Sequence, residues 1–299
     1  MVLNFTYWAT LRYIITVTLA YVLRRYPLKS HSFIYIFFIV CFLGFAINSI
    51  YLYCTPHYTP NIEKIDLMPF LEKEKFDDAD YHLFFEQTGL SPIIIDELKN
   101  TPDFITQVLK FQADYLSDIK TYNVYMPPAT FCQLTGSLGH KTKAFTLAPY
   151  HNGYILLTNA THSFGWRHGH VGLVVDEIHG VTLEAMSPGI SSCLQNIHKW
   201  EYYPTFKMVR LKDASLAEQN NIANYALAHL QGLPYNILGA KKQETSVSTH
   251  CSLLIWQAFN HFGYDLDSTG GPFVSPKDIA CSPLLEVLQI YGFNPNKDW

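Results

Sequence analysis

Phe33 to Cys54 (FIYIFFIVCFLGFAINSIYLYC) is a run of 22 residues without a charge, and it constrains this chain more than any other feature. A helix needs about 20 predominantly apolar residues to cross a bilayer. The run therefore predicts a transmembrane helix rather than a buried core helix, which would be shorter or carry a polar stripe. It starts too late and runs too long for a cleavable signal peptide. Phe5 to Leu23 is also apolar but contains Arg12. A charge near the middle of a span costs about 2.5–3.5 kcal/mol on insertion scales. That segment reads equally as a first span or as an amphipathic helix lying on the membrane. Arg24, Arg25 and Lys29 precede the strong span, and only Lys64 follows it closely. The positive-inside rule thus predicts the rest of the chain outside the cytoplasm.

Much of the apolar excess lies in this first segment: hydrophobic residues are 48% of the 299 and charged residues only 15%. The remainder has room for one domain of ordinary size plus an extra segment. A net charge of −4 without a long basic run gives a nucleic-acid partner no electrostatic support. Six cysteines do not make a disulfide scaffold, and none has CxxC or zinc-finger spacing. Two of Cys132, Cys193 and Cys281 could pair in an oxidising compartment, but sequence alone does not select which.

Three segments follow: residues 1–54 as membrane anchor, 55–125 as linker and helical subdomain, and 126–299 as the domain that carries chemistry. In the second, helices are expected around Tyr81–Phe85 with a stop at Gly89, from Ser91-Pro92 to Leu98, and after Thr101-Pro102-Asp103. Tyr122 to Tyr150 reads as irregular, with Pro127-Pro128 and several glycines. Strands are expected over Gly153–Thr158, His168–Asp176, Val181–Met186 and Phe206–Leu211. Ser215 and Glu218 form a capping-box pattern for a helix to about Gln231, and His250-Cys251 opens another that Gly263 stops. Strands followed by helices predict an α+β domain.

A hairpin turning around Glu177–Gly180 brings His170 within a residue of lying opposite Glu184. A carboxylate there can orient the imidazole, provided the register holds, since a slip of one residue puts the two on opposite faces. Cys251 at a helix start gains thiolate stabilisation from the helix dipole and free N–H groups. Nucleophile, base and orienter are then Cys251, His170 and Glu184. Blander readings stand beside this one. A cysteine opening an apolar helix is often only a small buried hydrophobe, and an acidic strand residue often faces solvent. His168 and His170, on one face of a strand, invite a zinc site with His162 or Cys251, but no further ligand arrives at metal spacing. His250 reads as lining the pocket, and Gly232-Leu-Pro-Tyr235 as a helix stop whose Tyr235 adds a wall.

Gly153-Tyr-Ile-Leu-Leu-Thr158, His168-Gly-His-Val-Gly-Leu-Val-Val175, Leu183-Glu-Ala185 and Thr249-His-Cys-Ser252, in that order, resemble circularly permuted papain-fold cysteine hydrolases. This is the permuted branch of the NlpC-type superfamily, which also holds lecithin–retinol-acyltransferase-like enzymes. Gly232-Leu-Pro-Tyr235 and Ser275-Pro-Lys-Asp278 extend the match, which covers roughly residues 150–290. The resemblance implies an α+β, permuted papain-like domain with an antiparallel sheet packed on helices. It also implies Cys251 as nucleophile, His170 as base and Glu184 as third polar residue, with no metal and no cofactor. The substrate expected is a peptide amide, with cell-wall peptides first because the domain is expected to face outward. The alternatives are acyl hydrolysis or transfer on a lipid, and a non-catalytic module that binds wall or lipid.

Overall fold

A computed structural model describes residues 35–44, 56–126, 130–137, 139–163, 166–241 and 247–299. The chain divides into two compact units, Met1–Tyr51 and Leu52–Trp299. In the first, residues 35–44 are helical. The rest of the expected span and the apolar stretch Phe5–Leu23 lie outside the described residues. Among the described residues no helix is long and apolar enough to cross a membrane.

The second unit is a mixed α+β fold with antiparallel sheets. Helices α1 (Met68–Leu71), α2 (Asp78–Thr88), α3 (Pro92–Lys99) and α4 (Phe104–Tyr115) come first. Asp77 caps α2 in a reciprocal capping box with Asp80, and Gly89 ends the helix in the left-handed conformation at φ 71°. Pro92 stands at the start of α3, where its missing N–H costs nothing.

Strands β1 (Thr121–Met126), β2 (Thr130–Ser137) and β3 (His140–Lys141) follow, then β4 (Ile155–Thr158), β5 (Thr161–Ser163), β6 (Trp166–Arg167), β7 (His170–Asp176), β8 (Val181–Glu184) and β9 (Cys193–Asn196). A 3-10 helix, η1 (Ile197–Tyr202), leads to β10 (Phe206–Leu211), α5 (Leu216–Leu230), α6 (Cys251–Asn260), α7 (Pro276–Ala280) and β11 (Leu285–Tyr291). The main sheet has the order β11-β10-β4-β7-β8-β9, and the second sheet the order β1-β2-β5-β6 with β3 on β2.

Alternation along the main sheet divides its side chains between two cores. Ile155, Leu157, Val171, Leu173, Val175, Val209 and Leu211 share a cluster with Ile222, Ala226, Leu254 and Phe259 of α5 and α6. Leu156, Val174, Phe206, Met208, Leu288 and Ile290 share the other with Phe84, Ile95, Val108 and Phe111 of α2–α4. The sheet is therefore covered on both faces, which is why its strands read as almost continuous apolar runs.

The second sheet corrects the expectation that Tyr122–Tyr150 is irregular. Thr121–Met126 is rich in β-branched and aromatic residues, and β2 is buried continuously from Cys132 to Thr135, with Cys132 and Leu134 in the core. Proline and glycine nearby obscured both signals, and Pro127-Pro128 lies outside the described residues. Cys132, Cys193 and Cys281 are free thiols.

Candidate active site

Cys251 is the first residue of α6 and half-buried, and its helix packs against β7. The preceding His250 is the N-cap and does not simply line a pocket. Its Nδ1 accepts from the Leu253 N–H at 3.4 Å, and its Nε2 lies 3.3 Å from the Gly239 carbonyl as donor. Histidine thus does the work usually given to serine or aspartate at this position, and it holds the helix start that carries the thiol.

His170 opens β7 and is buried, with its ring stacked 5.6 Å from Trp200 at 11°. Its Nε2–H donates to Glu184 Oε2 at 2.5 Å, and its side chain also interacts with the Cys251 thiol. Glu184, at the end of β8, is fully buried and accepts four hydrogen bonds. Lys199 Nζ reaches Oε2 at 2.6 Å, while Thr182 Oγ1 and Trp200 Nε1–H donate to Oε1 at 2.6 and 3.1 Å. A buried carboxylate without such partners would be strongly destabilising.

Glu184 is not directly opposite His170. Val174 pairs with Thr182 and Asp176 with Val181, so β7 carries one extra residue at Val175. That bulge shifts the register by one and puts Gly172 opposite Glu184, two residues from His170 on the same face. A Cβ at position 172 would lie 2.9 Å from Glu184 Cγ and 3.0 Å from Trp200 Cζ2. Only a hydrogen there lets the glutamate lie across the strand to reach the imidazole.

The charges follow from these contacts. For His170, burial works against the charged ring, but the bonds to Cys251 and Glu184 prevail and raise it to about 9. For Glu184, burial favours the neutral acid, yet Lys199 and His170 hold it down to about 2. For Cys251, burial opposes ionisation, and His170 with His250 overcomes it, pulling the thiol well below its ordinary value. These shifts favour a thiolate beside an imidazolium whose Nε2 is held by a carboxylate.

His168 does not share a strand face with His170. Gly169 between them has φ 75°, so β7 begins only at His170. The His168 Nδ1–H donates to the Gly169 carbonyl at 2.7 Å, and its Nε2 meets Ser163 Oγ at 3.0 Å. Burial lowers it, although the Cys251 charge pulls the other way. His162 lies on β5, buried and stacked on Phe131, and burial together with Arg167 lowers it to about 4. Among the described residues no group of three or more His, Cys, Asp or Glu is arranged to hold a metal ion. Tyr235 lies near enough to feel the Cys251 charge; burial and that charge raise its phenol.

Lys199 and Trp200 were not singled out from the sequence. The signal was indirect: a carboxylate on a strand that faces a core must find a cation and donors, and Lys-Trp shortly downstream supplies both.

No protein-family model and no curated protein matches this chain. Among solved structures it is similar to metalloprotein yiiX from Escherichia coli O157:H7, at 15% sequence identity and a TM-score of 0.38. The match covers 47% of this chain and 97% of that one.

Proposed function

We propose that this chain is a cysteine hydrolase of permuted papain-like fold, acting through an acyl-enzyme on Cys251. The observation that carries the reading is the convergence of three side chains from β7, β8 and α6. Glu184 Oε2 holds His170 Nε2 at 2.5 Å, and the same ring interacts with the Cys251 thiol at a helix start. A non-catalytic module has no need of a buried carboxylate, imidazole and thiol in one chain of contacts.

In the proposed reaction the Cys251 thiolate adds to the substrate carbonyl carbon, and the C=O electron pair moves to oxygen. The first N–H groups of a helix have no intrahelical acceptor, so the Cys251 N–H is the natural donor to that oxyanion. Collapse expels the leaving group, which takes the proton of the His170 imidazolium. His170, now neutral, then removes a proton from water or another acceptor as that nucleophile attacks the thioester, and collapse of the second tetrahedral species breaks the C–S bond and returns Cys251 as thiolate beside the reprotonated imidazole. Glu184 keeps the ring oriented throughout and balances its charge.

An amide is the leading scissile bond, with a cell-wall peptide as substrate. One observation favours an acyl chain on a lipid as a second reading. Ile237, Leu238 and Val247 are exposed beside the start of α6, where Asn236 N–H donates to the Thr249 carbonyl. Trp166, also exposed, packs against His168. Exposed apolar side chains of this kind support the lipid reading.

Incubating the full chain with cell-wall peptides in one arm and phospholipid vesicles in the other, then weighing Cys251 by mass spectrometry, tests both readings. A peptidyl or fatty-acyl adduct on Cys251 identifies the substrate class. No adduct from either, with Cys251 intact and reactive, counts against both.

A further inference from the structure

We propose that Lys199 is a positioning residue of this site, sharing the charge of Glu184 with His170; the inference rests on the hydrolase reading above. Lys199 Nζ and His170 Nε2 lie 2.6 and 2.5 Å from the same carboxylate oxygen, Oε2. The other oxygen is occupied by Thr182 and Trp200. The carboxylate is fully buried, so no solvent intervenes, and each cation feels the other through the oxygen they share.

The 3-10 helix η1 delivers this arrangement as a unit. Trp200 stacks on the His170 ring and donates to Glu184, while the residue before it supplies the ammonium. The Lys199 side chain is 24% exposed, so the ammonium comes in from the solvent side of the cluster and also meets Met186 Sδ at 3.3 Å. It also lies over the Trp200 ring, with the centroid 6.0 Å away, and is near enough to act on the Cys132 thiol.

The charged and titratable groups of the cluster around His170 include Cys251 from α6 with His250 before it, Glu184 from β8, Lys199 from η1 with Tyr203 after that helix, Cys132 from β2 and His168 from the turn before β7. Thiolate, carboxylate, imidazolium and ammonium sum to zero. Without the ammonium the cluster carries a net negative charge in a buried setting, and it takes up a proton more readily. His170 then receives the whole field of Glu184 and becomes a weaker acid toward the leaving group. Lys199 thus sets how firmly the imidazole holds the proton that the reaction must return.

The test is a histidine-ring NMR titration of the full chain, with His170 assigned by its loss in His170→Gln. Wild type is compared with Lys199→Met and Lys199→Arg; Lys199→Gln, which keeps a donor without the charge, replaces the Met variant if that one does not fold. The His170 titration is expected at least about half a pH unit higher when the charge is removed, and near wild type in Lys199→Arg. An unchanged or lower titration in the uncharged variant overturns the proposal, as does an equal shift in Lys199→Arg, which would point to shape instead of charge. Alkylation of Cys251 in the same samples reads the hydrolase proposal separately. An ordinary thiol there defeats that reading while leaving the Lys199 result to stand or fall alone.

Discussion

Glu184 reaches His170 diagonally, over a glycine. The extra residue at Val175 places Gly172 opposite Glu184, and the glutamate crosses the space a side chain at position 172 would fill. Without the bulge, continuing the pairing from Asp176–Val181 would put Glu184 opposite Leu173, on the face that packs against α5 and α6. A single added residue thus decides whether His170 has an acidic partner.

Gly172→Ala should break this relationship while leaving most of the fold intact. The added methyl would press on Glu184 and Trp200, neither of which can yield without losing a hydrogen bond. Overpacking of this kind costs about 1–3 kcal/mol. The denaturation midpoint should fall accordingly, and the reactivity of Cys251 at neutral pH should fall more than the loss of folded protein accounts for. Normal reactivity in a folded variant would mean that the diagonal contact is dispensable.

Glu184→Gln keeps the shape and the Trp200 and Thr182 partners but removes the charge that holds the imidazolium. Turnover should drop by about 10²–10⁴, in line with loss of an orienting carboxylate in other nucleophile–base pairs. The acid side of the stability profile should change too. The Glu184 pKa is depressed to about 2 from an ordinary 4.5, so its contribution is full above 4.5 and lost as pH falls toward 2. A urea titration series should show this loss in the wild type and a flatter acid limb in Glu184→Gln.

The alkaline side carries a cancellation. His170, raised from 6.5 to about 9, contributes stability that is full below 6.5 and declines as pH rises to 9. Cys251, lowered from 9.0, contributes stability that is full above 9.0 and is lost as pH falls through its folded value. In effect the proton has moved from sulfur to nitrogen, so between 6.5 and 9 the two slopes oppose each other. Because the thiolate is itself the chief partner raising His170, Cys251→Ser removes the cysteine slope and shrinks the histidine shift together. Below pH 6.5 the wild type should gain stability as pH rises, by no more than about 1.4 kcal/mol per pH unit from this pair, and Cys251→Ser should lack that gain. Parallel profiles over that range would speak against a thiolate–imidazolium pair.

His250→Ala should lose the cap of α6, at a cost of about 1 kcal/mol, and His250→Asn should recover most of it. The measurement is the denaturation midpoint of each, with helix content by circular dichroism as control. If Ala and wild type are equally stable, the imidazole is not serving as the cap.

These contacts also mark how far the sequence could be read. The hairpin of β7 and β8, the helix opening at Cys251 and the stop at Gly89 were legible because turn residues, period and glycine placement are local signals. The carboxylate–histidine pair was legible as a neighbourhood, but its geometry was not. A bulge leaves no mark in residue periodicity, and nothing local distinguishes Gly172 from any small residue in an apolar strand. The two-residue strand periodicity expected of His168 and His170 is absent because Gly169 between them has a left-handed backbone. The second sheet was not legible because β2 buries Cys132 to Thr135 in succession, polar and apolar alike, and lies between Pro127-Pro128 and the glycines at 136 and 139. Lys199 and Trp200 belong to a short 3-10 helix with no pattern of its own. Only the buried demand of Glu184 points to them.

The central claim is that Cys251 is a thiolate held by His170. The most direct test is the rate of Cys251 alkylation by iodoacetamide in the full chain from pH 5 to 9, with His170→Ala and Cys251→Ala alongside. The account predicts rapid labelling well below pH 8 that vanishes in Cys251→Ala and slows at least about tenfold near neutral pH in His170→Ala. A Cys251 that labels only as an ordinary thiol does, with or without His170, would contradict it.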